Sequence, residues 1–116
     1  MPRIRTIKPE AFISETLARV SVEAERTFVG LWTQADDEGR YADSPAILAG
    51  SLWAVRKRTD AEVDRDLSML AGEGLIRRYE VAGRRYVMIV NWHEHQKINR
   101  PTPSKIPPPE DAGKLF

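Results

Sequence analysis

The sequence predicts an α+β fold, mainly α, and three observations carry that expectation. Apolar residues recur at helical spacing in successive stretches between residues 21 and 73, the period turns extended after Gly74, and prolines crowd the chain after Arg100. Together they divide the chain into an N-terminal arm with a short helix (1–20), a core of three helices and a β-hairpin (21–92), and an extended, basic, Pro-rich tail (93–116).

Pro9 ends the arm, and the segment 14–20 reads as a brief helix, with Phe12, Ile13, Leu17 and Val20 free to dock on the body. Ser21 then stands where an N-cap belongs. Ala24, Phe28, Leu31 and Ala35 follow at helical spacing, with Trp32 widening the stripe up to Asp36. The run Asp36-Asp37-Glu38-Gly39 has turn chemistry and leaves room for a short extended piece before Asp43-Ser44-Pro45, where Pro45 opens a second helix. Ile47, Leu48, Leu52 and Trp53 belong to that helix. Arg56-Lys57-Arg58 makes a basic turn, and Thr59 with Glu62 matches the capping box, so a third helix starts there. Its apolar face is Val63, Leu67, Leu70 and Ala71, and Gly72 with Gly74 stops it. Two β-rich runs, 75–81 and 84–90, flank Ala82-Gly83 and read as a hairpin. Pro101, Pro103 and Pro107-Pro108-Pro109 then exclude a regular helix or a central strand, so the tail should be extended and mobile unless something holds it.

At 116 residues and 41% hydrophobic content the chain suits one modest core. It has no cysteine, so disulfides and thiolate metal sites are excluded, and no apolar run approaches the roughly 18 residues that cross a bilayer. A cytoplasmic protein without membrane partners is expected. No nucleophile triad, phosphate loop or paired-carboxylate design stands out, so neither an enzyme nor a cofactor is expected. His93-Glu94-His95 suggests a metal, but the chain has only two histidines and no cysteine, and neighbouring positions on an extended chain point opposite ways, so no metal site is expected.

Total charge says little, because 18 basic residues nearly balance 17 acidic ones. Placement says more. Arg3, Arg5 and Lys8 make the arm positive, Arg56, Lys57 and Arg58 the turn, and Arg77, Arg78, Arg84 and Arg85 against Glu80 the hairpin. Three short helices followed by a hairpin is the order of a winged helix-turn-helix, in which the third helix faces base edges while arm and wing touch phosphates. The candidate DNA contacts are therefore Arg3, Arg5, Lys8, Arg56, Lys57, Arg58, Arg65, Arg77, Arg84 and Arg85, joined in the tail by Lys97, Arg100 and Lys105. One feature opposes that picture. The third helix carries Asp60, Glu62, Asp64, Asp66 and Glu73 against Arg65 alone, a net charge that phosphates repel. Affinity is accordingly expected from arm, turn, wing and tail.

Four stretches together resemble phage and prophage helix-turn-helix proteins. They are the start Met1-Pro2-Arg3-Ile4-Arg5-Thr6-Ile7-Lys8-Pro9-Glu10, then Gly30-Leu31-Trp32 with Ala35-Asp36-Asp37-Glu38-Gly39-Arg40, then Gly74-Leu75-Ile76 with Arg78-Tyr79, and last His95-Gln96-Lys97-Ile98-Asn99-Arg100-Pro101 with Ser104-Lys105-Ile106-Pro107. They are similar to the N-terminal domain of DnaD-like replication initiation proteins, or replisome organisers. The resemblance implies a winged-helix fold, a DNA or replisome role, self-association and no catalytic residues. The leading expectation is a phage-type DNA-binding protein of replication initiation, with duplex favoured over single-stranded DNA. A transcriptional regulator and a protein-protein adaptor of a replisome or host-takeover complex are the alternatives, the last favoured by the acidic third helix. A homodimer is expected from the apolar arm residues Ile4, Ile7, Phe12 and Ile13 and from the resemblance.

Several groups carry two readings at this level. Arg84 and Arg85 suit phosphate or serve as solubilising charge; residues 56–58 suit a ligand or the carbonyl end of the second helix. Tyr79, Tyr86 and Trp92 suit base stacking or packing within the fold. The tail tracks DNA, straps the body through Ile98 and Ile106, or offers a polyproline ligand.

Overall fold

In the computed structural model, which describes residues 2–116, the arm closes into a 3-10 turn at Pro9–Ile13 and then a single helical turn, α1 (Glu15–Ala18). Met1, the first residue of the expected arm, lies outside the described residues. The short helix ends before residue 20 because Ser21 must turn extended to cap the next element: its side chain accepts a bond from Ala24 N at 3.0 Å, opening α2 (Val22–Gln34). Ala24, Thr27, Phe28, Leu31 and Trp32 form its buried face.

The acidic loop after α2 makes its own turn. Asp36 Oδ1 accepts from the backbone N–H groups of Glu38 and Arg40, and Gly39 takes φ +78° with Trp92 so close that a Cβ would fall 2.7 Å from its ring. Only glycine fits there. The short extended piece follows as β1 (Arg40–Ala42), and Ser44 caps α3 (Pro45–Leu52). The capping box of Thr59 and Glu62 forms as expected and starts α4 (Asp60–Gly72), which buries Val63, Asp66, Leu67 and Leu70. Its acidic partner Glu62 is held below the usual glutamate pKa by the Thr59 backbone N–H and hydroxyl, with Arg58 adding to the effect.

The hairpin is β2 (Ile76–Val81) and β3 (Arg84–Ile89), with Ala82 and Gly83 at φ +52° and +78°. Two positive φ values in a two-residue loop match the twist of the flanking strands. The chain then makes a helical turn, α5 (Trp92–His95), where an extended segment was expected, and His93 bonds Glu38. The four-stranded antiparallel sheet has the order β1-β3-β2-β4, its last strand being β4 (Lys114–Leu115). A fold that is α+β is thus what the chain adopts.

The tail is held on the body, in line with the strap reading, and Ile98 packs against the core. Thr102 N donates to Asp37, Arg40 donates to Ile106 O at 2.8 Å, and Tyr79 donates to Pro107 O at 2.8 Å. Pro109 is buried, and β4 pairs with the outer edge of β2. The hairpin register places Tyr79 beside Tyr86 on one face and Arg78 beside Val87 on the other, so helices cover one face and the tail covers the opposite one.

Candidate nucleic-acid interface

Each basic group expected at a polyanion surface falls into one of two classes, set by whether the fold itself pairs it. The arm belongs to the first class. Arg3 pairs with Asp37 at 3.0 Å, and Lys8 donates to Glu94 O at 2.8 Å. Arg5 goes further: its side chain is only 6% exposed, donates to Trp32 O, Ala35 O and Asp37, and lies over the Trp92 ring. Arg5 closes the C-terminal end of α2, where free carbonyls favour a cation, and is no phosphate ligand in this arrangement. Asp37, which receives both arginines, sits below its usual pKa because Thr102 N donates to it, with burial opposing and Arg3 and Arg5 assisting. Arm and tail therefore meet on one carboxylate.

Arg58 also belongs to this class. It is bonded to buried Asp66, which accepts from Thr27 as well, while Trp53 Nε1 donates to that Thr27 hydroxyl at 2.9 Å. Arg26 and Arg58 lie over the Trp53 ring, at 4.1 and 5.0 Å. This network joins α2, α3 and α4. Arg78, counted in the hairpin's charge, is buried and bonds Asp43 through two nitrogens, then Asp64 and Ser68 on α4. Burial opposes its charge, but the carboxylates prevail and its pKa is raised.

The same pairing offsets part of the negative charge of α4. Glu62 and Asp66 face Arg58, Asp64 faces Arg78, and Glu73 faces Arg19. Among the described acidic residues of α4 only Asp60 lacks an ion-pair partner, and the exposed side also carries Ala61, Arg65, Ser68 and Met69. Three arginines thus offset part of the acidic count that opposed DNA: Arg58 is shared by Glu62 and buried Asp66, Arg78 by half-exposed Asp64 and Asp43, and Arg19 meets Glu73 at the surface. Sequence reasoning missed this because the partners, Arg19, Arg58 and Arg78, come from three other segments.

The second class holds exposed cations with no partner or only a long contact, such as that of Lys97 Nζ to His93 O at 3.4 Å. Arg56 and Lys57 are exposed in the α3–α4 turn, Arg65 on α4, Arg84 beside the hairpin tip and Arg77 on the face of β2 turned away from α4. Arg85 is half-exposed, 3.9 Å from Glu80 and under the Phe116 ring at 4.0 Å. Lys97, Arg100 and Lys105 are exposed too, on the strap that runs past Asp37 and Asp36. Tyr79 is fully buried and Trp92 nearly so, which assigns both to packing; burial pushes the Tyr79 hydroxyl up to about 12.

No group of three or more metal-type ligands occurs among the described residues, and none of their helices is long and apolar enough to cross a membrane. Comparison with protein-family models, with curated proteins and with solved structures finds no match.

Proposed function

We propose that the chain is a non-enzymatic DNA-binding protein of phage type, with a winged helix-turn-helix fold, acting in replication initiation in the cytoplasm as a homodimer. In this reading α3 and α4 are the helix-turn-helix pair and the β2–β3 hairpin is the wing. The observation that carries it is the internal pairing of Glu62, Asp64, Asp66 and Glu73, which leaves Arg65 with Arg56 and Lys57 at the face of α4. An outward side of Ala61, Arg65, Ser68 and Met69 is narrow enough for a major groove about 12 Å wide, with Arg65 directed at base edges. Arg56, Lys57, Arg84 and Arg85 serve the phosphates.

The replication role rests on the resemblance of the four sequence stretches to replisome organisers, and a replisome protein is the partner that this role implies. An adaptor function draws its support from an acidic α4, which the pairing weakens. Duplex is favoured over unpaired DNA because Tyr79 and Trp92 lie inside the fold and offer no stacking platform.

The test is fluorescence anisotropy with duplex and single-stranded oligonucleotides of one sequence across a salt series. Tighter duplex binding that weakens steeply with salt is expected. Absence of binding, or a preference for the single strand, contradicts the reading.

A further inference from the structure

Between the arm and the body the core side chains leave an apolar cavity of about 280 Å³, floored by Leu17, Phe28, Trp32, Leu75, Ile89 and Trp92. An apolar cavity of about 150 Å³ already admits a benzene ring, so this one accommodates a phenyl side chain. Part of its rim is the 3-10 turn Pro9–Ile13, through Glu10 and Ala11. That same turn exposes the two large apolar residues Phe12 and Ile13, 80% and 82% accessible, and neither lines the cavity beside them.

We propose that the cavity is the socket for Phe12 of a second copy of this chain, so that two copies exchange Phe12 across a two-fold axis. A symmetric interface must be self-complementary, carrying plug and socket on one surface. One five-residue turn supplies the plug and part of the socket's rim. The charges at the mouth are self-complementary as well: Lys8 and Glu10 both line the rim, one of each sign.

Filling the socket in cis is disfavoured by the turn itself. Ala11 N bonds Lys8 O at 3.0 Å and Leu17 N bonds the Ser14 side chain, which hold Ala11 at the rim and Phe12 outside. Position matters too. Leu75, Ile89 and Val90 put the cavity at the base of the hairpin, whereas Arg84 stands at its tip. Six residues of strand separate them by roughly 20 Å, so pairing leaves the proposed DNA surface of each copy open. The inference deepens the homodimer part of the reading above without requiring nucleic acid, so the two fail separately.

The experiment is sedimentation velocity of the full chain over a concentration series, for the wild type, Phe12→Ala and Phe12→Leu. A reversible wild-type dimer is expected, weakened on the order of a hundredfold by Phe12→Ala, the loss of a central aromatic anchor, and largely retained by Phe12→Leu. Phe12 is exposed in the single chain, so equal thermal melting at dilution checks that both variants fold. In a mixed sample, isotope-filtered spectra should connect Phe12 ring protons of labelled copies to Trp32 and Trp92 indole protons of unlabelled ones. A wild type that stays monomeric, a Phe12→Ala dimer of unchanged strength, or Phe12–indole contacts confined within single copies would overturn the proposal.

Discussion

The arm and the α3–α4 turn each bring three basic residues, Arg3, Arg5 and Lys8 in one and Arg56, Lys57 and Arg58 in the other, and the fold uses them in opposite ways. In the arm all three have intramolecular acceptors, and Arg5 is buried among the carbonyls that end α2. In the turn only Arg58 is drawn inward, to Asp66, while Arg56 and Lys57 face solvent. Equal charge in the sequence thus becomes unequal charge at the surface. A basic cluster signals a polyanion site only after its internal acceptors have been subtracted, and the same subtraction makes α4 less repulsive than its sequence count implies.

The largest effect should come from the exposed side of the comparison. Reversing charge at Arg56, Lys57 and Arg84 together is expected to weaken duplex binding by at least about a hundredfold at moderate salt, measured by anisotropy, with the melting temperature little changed. The buried side should respond in stability instead. Arg5→Ala leaves Asp37 with fewer partners and the α2 carbonyls open, and is expected to lower unfolding free energy by about 3 kcal/mol in urea titrations. Equal losses of affinity in both variants, measured on folded protein, would erase the distinction.

Acid sharpens the same contrast. Asp37 has a depressed folded pKa, so its contribution is present above the ordinary aspartate value of about 3.9 and is lost as pH falls through the lower folded value. Hydrogen exchange in that window should report loosening of the arm and of Thr102 before α4 opens. Loss of protection in α4 first would contradict a hub at Asp37. Tyr79→Phe removes the bond that fastens Pro107 and should cost about 1 kcal/mol, and in the parent chain one tyrosine should resist ionisation until about pH 12. The smallest change is at the wing tip, where Ala82→Asn, better suited to φ +52°, should stabilise the chain by about 0.5 kcal/mol with unaltered binding.

Much of the helical and hairpin structure was legible because its signals are local. Ser21 and Thr59 cap the helices they were expected to cap, Pro45 opens α3, and Ala82-Gly83 turns the hairpin, since each acts on backbone within a few residues. The tail was not legible as a third layer. Its anchors are mostly single backbone groups of Thr102, Ile106 and Pro107 meeting Asp37, Arg40 and Tyr79 from far along the chain, and such contacts impose no period on the sequence. Strand β4 is two exposed residues, too short for any alternation to appear. At the candidate site the exposed arginines could be counted, but their pairing could not, because Asp43, Asp64 and Asp66 meet Arg78 and Arg58 only once β2 and the turn have packed on α4.

The central claim is that surface cations of the turn, α4 and wing, and not those of the arm, meet phosphate. Its most direct test is the slope of log K against log salt for duplex binding by the wild type, Arg3→Ala and Arg84→Ala. With about five phosphate contacts the wild type should give roughly −4 to −5, Arg84→Ala should be shallower by about 1, and Arg3→Ala should match the wild type. A flat wild-type slope, or an Arg3→Ala loss equal to that of Arg84→Ala, would contradict the account.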